Sequence, residues 1–379
     1  MRYAGQPANG KPGWQVELLC RRDRVLDQWA QEIAATGVRV HRIDLRRPTD
    51  YLAVFRRLRA VDLAHLVLAY PTGKYQLVTA LLARLAGTPL IATHQLVVDI
   101  GDIKMSPLRR AFWRSAFRLY RRLARRNIAS SQAGWKLLTG RYRFPESSTE
   151  LIYNGADLSL FTPLMGSARS AVRQAIGAEV AGEAWSDDVL FSCTVARLTP
   201  QKGLLDLVEA AAEVTRQIPK VRFVLAGDGE ERPRLEARVA ALQLQRHVLF
   251  AGSRPLADLA RWLAAADLFV LSSHYEGMPL SMIEAMAAGC PVVATAVGGI
   301  PDIVGDSKAG VIVGPRHPPA LAEAITRILG DVRTRSAMAT AARERAMTTF
   351  DVRTCYEKTT ELYGVVSAGA SRADLPVSA

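Results

Sequence analysis

Apolar residues come in short runs along this chain, and the runs alternate with longer stretches of helical spacing. VELLC (16–20), VRVHRI (38–43), AHLVLAY (64–70), PLIATH (89–94), RNIASS (126–131) and TELIYN (149–154) read as strands in the first half. VLFSCTVARL (189–198), VRFVLAGDG (221–229), VLFAG (248–252), DLFVLSS (267–273), PVVAT (291–295) and AGVIVG (309–314) read as strands in the second. Between them, segments such as 204–216, 231–243, 256–265 and 319–330 carry the spacing of helices with one buried face. Strand and helix in alternation predict an α/β fold: parallel sheets with helices on both faces. The pattern weakens near 158–188, where TPLMGS and GAEVAGEAWSDD bring chain breakers and little periodicity, so two α/β halves are expected to join there. The tail from 368, AGASRADLPVSA, reads as disordered.

Composition narrows the class. The 379 residues, 49% of them hydrophobic, suffice for two ordinary domains. Four cysteines (Cys20, Cys193, Cys290, Cys355) are scattered without metal-ligand spacing, which argues against a disulfide framework or a zinc site and for a reducing compartment. The start, MRYAGQPANGKPGW, has no apolar signal core. The best apolar run, YQLVTALLARLAGTPLIAT, is interrupted by Arg84 and Pro89 and is no spanning helix. A cytoplasmic protein is expected, one that visits a membrane only peripherally, at its inner face. Charge is uneven: residues 1–160 hold 26 Lys/Arg against 12 Asp/Glu, the remainder 23 against 24. The whole excess of positive charge lies in the first part, which suits an anionic partner surface.

The chemistry concentrates in HYEGMPLSMIEAMAAGCPVVATAVGGIPDIV (274–304). Glu276 falls just after the DLFVLSS strand, and ligands of open parallel sheets bind beyond the carboxyl ends of the strands. Pro279 suits the first turn of a helix that runs through LSMIEAMAA and stops at Gly289. Its first N–H groups, those of Leu280 and Ser281, form a ready phosphate site. Glu284 lies on the order of 7 Å further along the axis. A carboxylate there can accept two hydrogen bonds from a vicinal diol such as ribose. Glu276 would then lie beyond the phosphate, near whatever it carries. Taken alone, two solvated surface glutamates explain the spacing as well. The neighbouring strand ends add to it. CTVARLTPQKG (193–203) places Arg197 and Lys202 in a loop where two cations can clamp a diphosphate. VLAGDGEE (224–231) ends a strand in a Gly-Asp-Gly turn, which a plain tight turn also explains. AVGGIPDIV adds a glycine loop.

Arg197, Lys202, Gly227, Gly229, the Glu276–Glu284 pair and AVGGIPDIV, in this order and spacing, resemble the retaining glycosyltransferases of family 4. LIYNGADLSLF (151–161) resembles the segment that ends that family's first domain. The resemblance covers most of residues 150–365. It implies the GT-B architecture, two Rossmann-like domains facing across a cleft, and a nucleotide-sugar donor, with UDP the commonest nucleotide. Arg197 and Lys202 would neutralise the diphosphate, Leu280 and Ser281 would donate N–H bonds to it, and Glu284 would hold the ribose. Glu276, with Gly277 beside it, would meet hydroxyls of the transferred sugar, Gly227 would line the site, and Ser253 and Arg254 would lie near the base. No Asp-x-Asp pair occurs, so neither a metal nor another cofactor is expected.

The match weakens in the first half. His94, ending the PLIATH strand, resembles a family histidine near the transferred sugar; a structural role is the alternative. The segment 106–126, SPLRRAFWRSAFRLYRRLARR, carries eight arginines and no acid and reads as one amphipathic helix. Arg110, Arg114, Arg118, Arg121, Arg122 and Arg125 fall on one face, and Leu108, Phe112, Trp113, Phe117, Leu119, Tyr120 and Leu123 on the other. Such a helix fits an anionic membrane surface or packs its apolar side on the domain. No nucleic-acid recognition motif accompanies the charge. GWQVELLC (13–20) resembles the family's second strand, so the first strand and its glycine loop are expected to be missing.

The expected organisation is a first domain over 1–185, a donor-binding domain over 186–350, a helix at 351–367 returning to the first domain, and a disordered tail at 368–379. The expected function is a retaining hexosyl transfer to a glycan, lipid or small-molecule acceptor in cell-surface polysaccharide or glycolipid synthesis. A GT-B phosphorylase and a truncated, non-catalytic nucleotide- or membrane-binding partner are the alternatives.

Overall fold

A computed structural model describes residues 13–22, 27–44, 46–68, 74–100, 106–305 and 308–369. Its twelve strands are β1 (Glu17–Arg21), β2 (Arg39–Ile43), β3 (Ala64–Leu68), β4 (Leu90–His94), β5 (Arg126–Ala129), β6 (Thr149–Leu151), β7 (Leu190–Val195), β8 (Val221–Ala226), β9 (Val248–Gly252), β10 (Leu268–Leu271), β11 (Val292–Thr295) and β12 (Gly310–Val313). Each lies within a run that the hydrophobic pattern marks as a strand, except that β1 extends one residue further, to Arg21. All their pairings are parallel, which gives the α/β class that the strand–helix alternation predicts.

The chain divides into two compact units, one of Tyr153–Val352 and one of the residues before and after it. In the second unit the strand order is β12-β11-β10-β7-β8-β9. The chain builds outward from β7 to β9, crosses back, and builds outward again from β10 to β12. The reversal between β7 and β10 is the topological switch point at which doubly wound sheets open a crevice. Successive side chains of a strand point to opposite faces, so each strand feeds two cores. Phe191, Val224, Phe269, Leu271 and Val292 enter one core; Phe223, Leu225, Leu268, Val270 and Val293 enter the other. Burial on both faces explains why these strands read as continuous apolar runs.

The unit boundary falls at Ile152/Tyr153, not near residue 185. The expected junction contains a helix, Gly166–Ala181, whose Val172 and Ile176 join Trp185 and Phe191 in the second unit's core. Its buried stripe includes Arg173, 2% exposed, where periodicity looks for an apolar residue. The guanidinium donates to Asp267 at 2.8 Å and to the carbonyls of Ala265 and Val189. Asp267 also accepts from Arg169 and from the Phe191 N–H, and its carboxyl is held below the usual range by these arginines despite its burial.

In the first unit, β3-β4-β5-β6 form one sheet and β1-β2 a separate pair. The expectation of a missing first strand concerns residues 1–12, which lie outside the described residues, as do 370–379 of the tail. The last helix, Val352–Ser367, sets Leu362 and Val366 against Ile91, Ile128 and Ile152. Its Tyr363 hydroxyl bonds His65 Nδ1 at 2.5 Å, while His65 Nε2 meets Thr93 Oγ1 at 2.6 Å.

The arginine-rich helix is Pro107–Leu123, shorter than 106–126, because Ala124 is extended and Arg126 already starts β5. Trp113, Ala116, Phe117 and Tyr120, spaced three and four apart, form its buried stripe. Leu108 and Phe112 lie outside that stripe and are exposed, Leu108 by 85%. The expected apolar face is therefore divided, and part of it shares the surface with Arg109, Arg114, Arg118 and Arg122. Arg125 lies beyond the helix and donates to the Val366 carbonyl.

Candidate active site

Four neighbouring strands, β11, β10, β7 and β8, end in loops joined to one another by backbone contacts. The loop after β7 leans on the turn after β8. The Leu198 N–H donates to the Asp228 carbonyl at 2.9 Å, and the Glu231 N–H donates to the Leu198 carbonyl at 2.9 Å. A Cβ at Gly227 would stand 1.9 Å from the Ala196 carbonyl oxygen, so the Gly-Asp-Gly turn is needed for close approach. The same loop is tied to the one after β10. Ser272 Oγ donates to the Lys202 carbonyl at 3.1 Å, the His274 N–H to the Gln201 carbonyl at 2.8 Å, and Gln201 Nε2 to the Tyr275 carbonyl at 2.9 Å. The His274 ring meets Asp206 at 2.8 Å. On the other side, Gly298 has φ +54°, and a Cβ there would be 1.8 Å from the Glu276 carbonyl oxygen. The Gly299 N–H donates to the Gly277 carbonyl at 2.7 Å. The AVGGIPDIV loop thus buttresses the backbone of the Glu276 loop.

This scaffold brings several sequence-predicted residues together. Lys202 Nζ lies 2.5 Å from Glu276 Oε1, with the two side chains 15% and 6% exposed. Sequence reasoning assigned them separate tasks; the structure makes them a largely buried ion pair. Ser273 Oγ donates to the same carboxylate oxygen at 2.6 Å. Ser273 was missed because a serine after a strand gives no signal until its carboxylate partner is placed.

The helix Leu280–Ala287 begins after Pro279 with no side-chain cap. The Met282 N–H turns back to the Pro279 carbonyl, while among the described residues the Leu280 and Ser281 N–H groups find no acceptor. An uncapped helix start leaves donors and positive dipole for an anion. Glu284 follows in the second turn, half-buried, with no cation or hydrogen-bond donor on its carboxylate among the described residues. Burial raises its carboxyl above the ordinary value. Arg197 is exposed and likewise without a side-chain partner among the described residues.

Other expected residues are placed differently. Ser253 is exposed. Arg254 is paired with Glu179 of the helix Gly166–Ala181 and stacks 5.1 Å from the Trp262 ring centroid. His94 does end β4, where it lines a small cavity with Leu68, Leu96 and Trp113. It is 3% exposed, its Nε2–H donates to Asn127 Oδ1 at 3.1 Å, and Phe144 packs edge-on against it. Burial lowers its pKa to about 4, so the ring is neutral. It belongs to the first unit, whereas the residues above belong to the second.

Known proteins share this design. Residues 8–155 match the family described as glycosyl transferase 4-like domain, and residues 178–345 match glycosyl transferases group 1. Alpha-D-kanosaminyltransferase of Streptomyces kanamyceticus is 35% identical over 40% of this chain and 40% of its own length. D-inositol 3-phosphate glycosyltransferase of a Nocardioides species is 31% identical over 58% of this chain and 49% of its own. The chain spans about half the length of the curated relatives it matches. Among solved structures, HepE of Anabaena in complex with UDP superposes with a TM-score of 0.77 at 25% identity, covering 91% of each chain. Sucrose-phosphate synthase of Thermosynechococcus elongatus shares the fold, with a TM-score of 0.72 at 22% identity over 93% of this chain and 99% of that one. With both units matched by glycosyltransferase family models and the fold matched along nearly the whole chain, this protein belongs to the family 4-like GT-B glycosyltransferases.

Proposed function

We propose that the protein is a retaining hexosyltransferase that takes its sugar from a nucleotide-sugar, with UDP the favoured nucleotide. The observation that carries this reading is Glu284, a half-buried carboxylate with no partner among the described residues, one turn beyond an uncapped helix start. A desolvated carboxylate with no partner is costly, and a ligand that completes it removes that cost. A ribose diol does so, with the diphosphate seated on the Leu280 and Ser281 N–H groups and Arg197 at hand. Solved neighbours bound to UDP and to UDP-glucose support the choice of nucleotide.

The chemistry asked of these groups is electrostatic. In transfer with retention, as the family resemblance implies it, an acceptor hydroxyl oxygen bonds to the sugar's anomeric carbon on the face the phosphate leaves. The carbon–oxygen bond to the phosphate breaks with its electron pair on the phosphate, which takes the acceptor's proton. In this reading the growing negative charge is met by the amide dipoles of the Leu280–Ala287 helix start, with Arg197 and Lys202 adding positive charge, and fixed amide donors lower the barrier without reorganising. Glu276 faces the hydroxyls of the moving sugar. No metal is required by this reading.

The acceptor is a glycan, a lipid or a small molecule, in cell-surface polysaccharide or glycolipid synthesis, and the first unit meets an anionic membrane. Exposed Leu108 and Phe112 beside exposed Arg109, Arg114, Arg118 and Arg122 support that partner. The adjoining helix Lys74–Ala86 adds exposed Leu81 and Leu85, and neither helix contains an acid. Among the described residues no helix is long and apolar enough to cross a membrane.

Thermal-shift titration with UDP-, GDP- and ADP-sugars tests the donor. A UDP-sugar is expected to raise the melting temperature, and Glu284→Ala to remove most of that rise while the protein still folds. An unchanged rise in Glu284→Ala would remove Glu284 from the ribose site.

A further inference from the structure

Glu276 and Lys202 are expected to act on different parts of the donor, yet they are bonded to each other. Two donors, Lys202 Nζ and Ser273 Oγ, converge on Glu276 Oε1, and no donor reaches Oε2 among the described residues. The Glu276 backbone is closely backed by Gly298, its carboxylate is held by Ser273, and the lysine backbone is held by Ser272. The long lysine stem gives the ammonium room to change partner. Leu280, where the helix start awaits an anion, is four residues from Glu276 and so within about 14 Å even along a fully extended chain.

Resting on the nucleotide-sugar reading, we propose that the Lys202–Glu276 ion pair is an exchangeable lock on the donor site. The ammonium leaves Glu276 for the incoming diphosphate, and Ser273 keeps the carboxylate oriented, with its charge turned to a sugar hydroxyl. The pair spares the site two unpaired charges before a donor binds. An unpaired charge at this depth is strongly destabilising, whereas exchanging one anionic partner for another keeps the ammonium paired throughout. Glu276 therefore competes with the diphosphate for Lys202. Affinity for the nucleotide alone is reduced by that competition, and a complete donor recovers it by offering hydroxyls to the freed carboxylate. Ser273 is a positioning residue in this scheme, since it acts through Glu276.

The test is calorimetric binding of UDP to the full chain. Glu276→Gln keeps the shape and removes the competing charge, so it is expected to bind UDP several-fold more tightly than the wild type while turnover collapses. Lys202→Met is expected to bind UDP more weakly, and adding Glu276→Gln to it should bring no further gain. A Glu276→Gln affinity equal to or below the wild type, or a gain that persists without Lys202, overturns the lock but leaves the donor reading standing. Absence of nucleotide binding by the wild type overturns the donor reading itself. Ser273→Ala gives a second measure should Glu276→Gln fail to fold: turnover about tenfold lower, UDP affinity within twofold, and recovery in Ser273→Thr. Equal losses of affinity and turnover in Ser273→Ala would refute the positioning role.

Discussion

At the scale of single residues, burial has opposite consequences for groups that look alike in the sequence. Glu276 is buried with two donors, and Glu284 is half-buried with none among the described residues, so desolvation alone acts on the second and raises its pKa. His65 and His94 are both desolvated to a pKa of about 4. Neutral His94 donates to Asn127, and neutral His65 bridges Tyr363 and Thr93; what disfavours the protonated rings is their burial, not the loss of these bonds. The unfolded chain takes up these protons near pH 6.5 and the folded chain does not. Stability is therefore complete above about pH 6.5 and is lost as pH falls toward 4, by up to about 3 kcal/mol for each ring. Urea unfolding at pH 7, 6 and 5 is expected to show this. His65→Gln should reduce the dependence on pH by about 1.4 kcal/mol per unit between pH 6 and 5. An unaltered slope would place the titration elsewhere.

At the scale of elements, the site is a property of loops, and glycine makes the loops possible. Gly298 takes a left-handed conformation with no room for a side chain against the Glu276 carbonyl. Gly298→Ala is expected to cost at least about 2 kcal/mol, from the left-handed backbone and the contact together. UDP binding should weaken with it, because the Glu276 loop must shift. Gly314, with open space around it and no positive φ, provides the control, and Gly314→Ala should be nearly neutral. Equal urea midpoints for the two variants would refute the buttress. The helix Gly166–Ala181 shows the limit of pattern reading at this scale. Small residues and a buried arginine give it almost no apolar stripe, and its place is set by Asp267, 94 residues from Arg173.

At the scale of the whole molecule, the excess of positive charge and the exposed Leu81, Leu85, Leu108 and Phe112 occur in the same unit, and vesicle flotation tests whether they act together. Binding is expected with anionic vesicles, little with zwitterionic ones, and less as salt rises. Reversing Arg114, Arg118 and Arg122 to glutamate should weaken it by at least about 100-fold, since each cation near an anionic surface is worth about 1 kcal/mol. Equal binding by that variant would leave the arginines as ordinary solvated charge. The sequence alone determined the strands, because residues buried on both faces of a sheet must be apolar in continuous runs. It also marked where the candidate site would fall, because the loops carrying Arg197, Lys202 and Glu276, and the helix Leu280–Ala287, come after β7 and β10, which strand order puts side by side. Only the tertiary structure decided which charges are paired. Lys202 with Glu276, Arg254 with Glu179 and Arg173 with Asp267 are each joined across more than 70 residues of chain. Periodicity records which way a side chain points, but ion pairing depends on what stands opposite once the chain has folded.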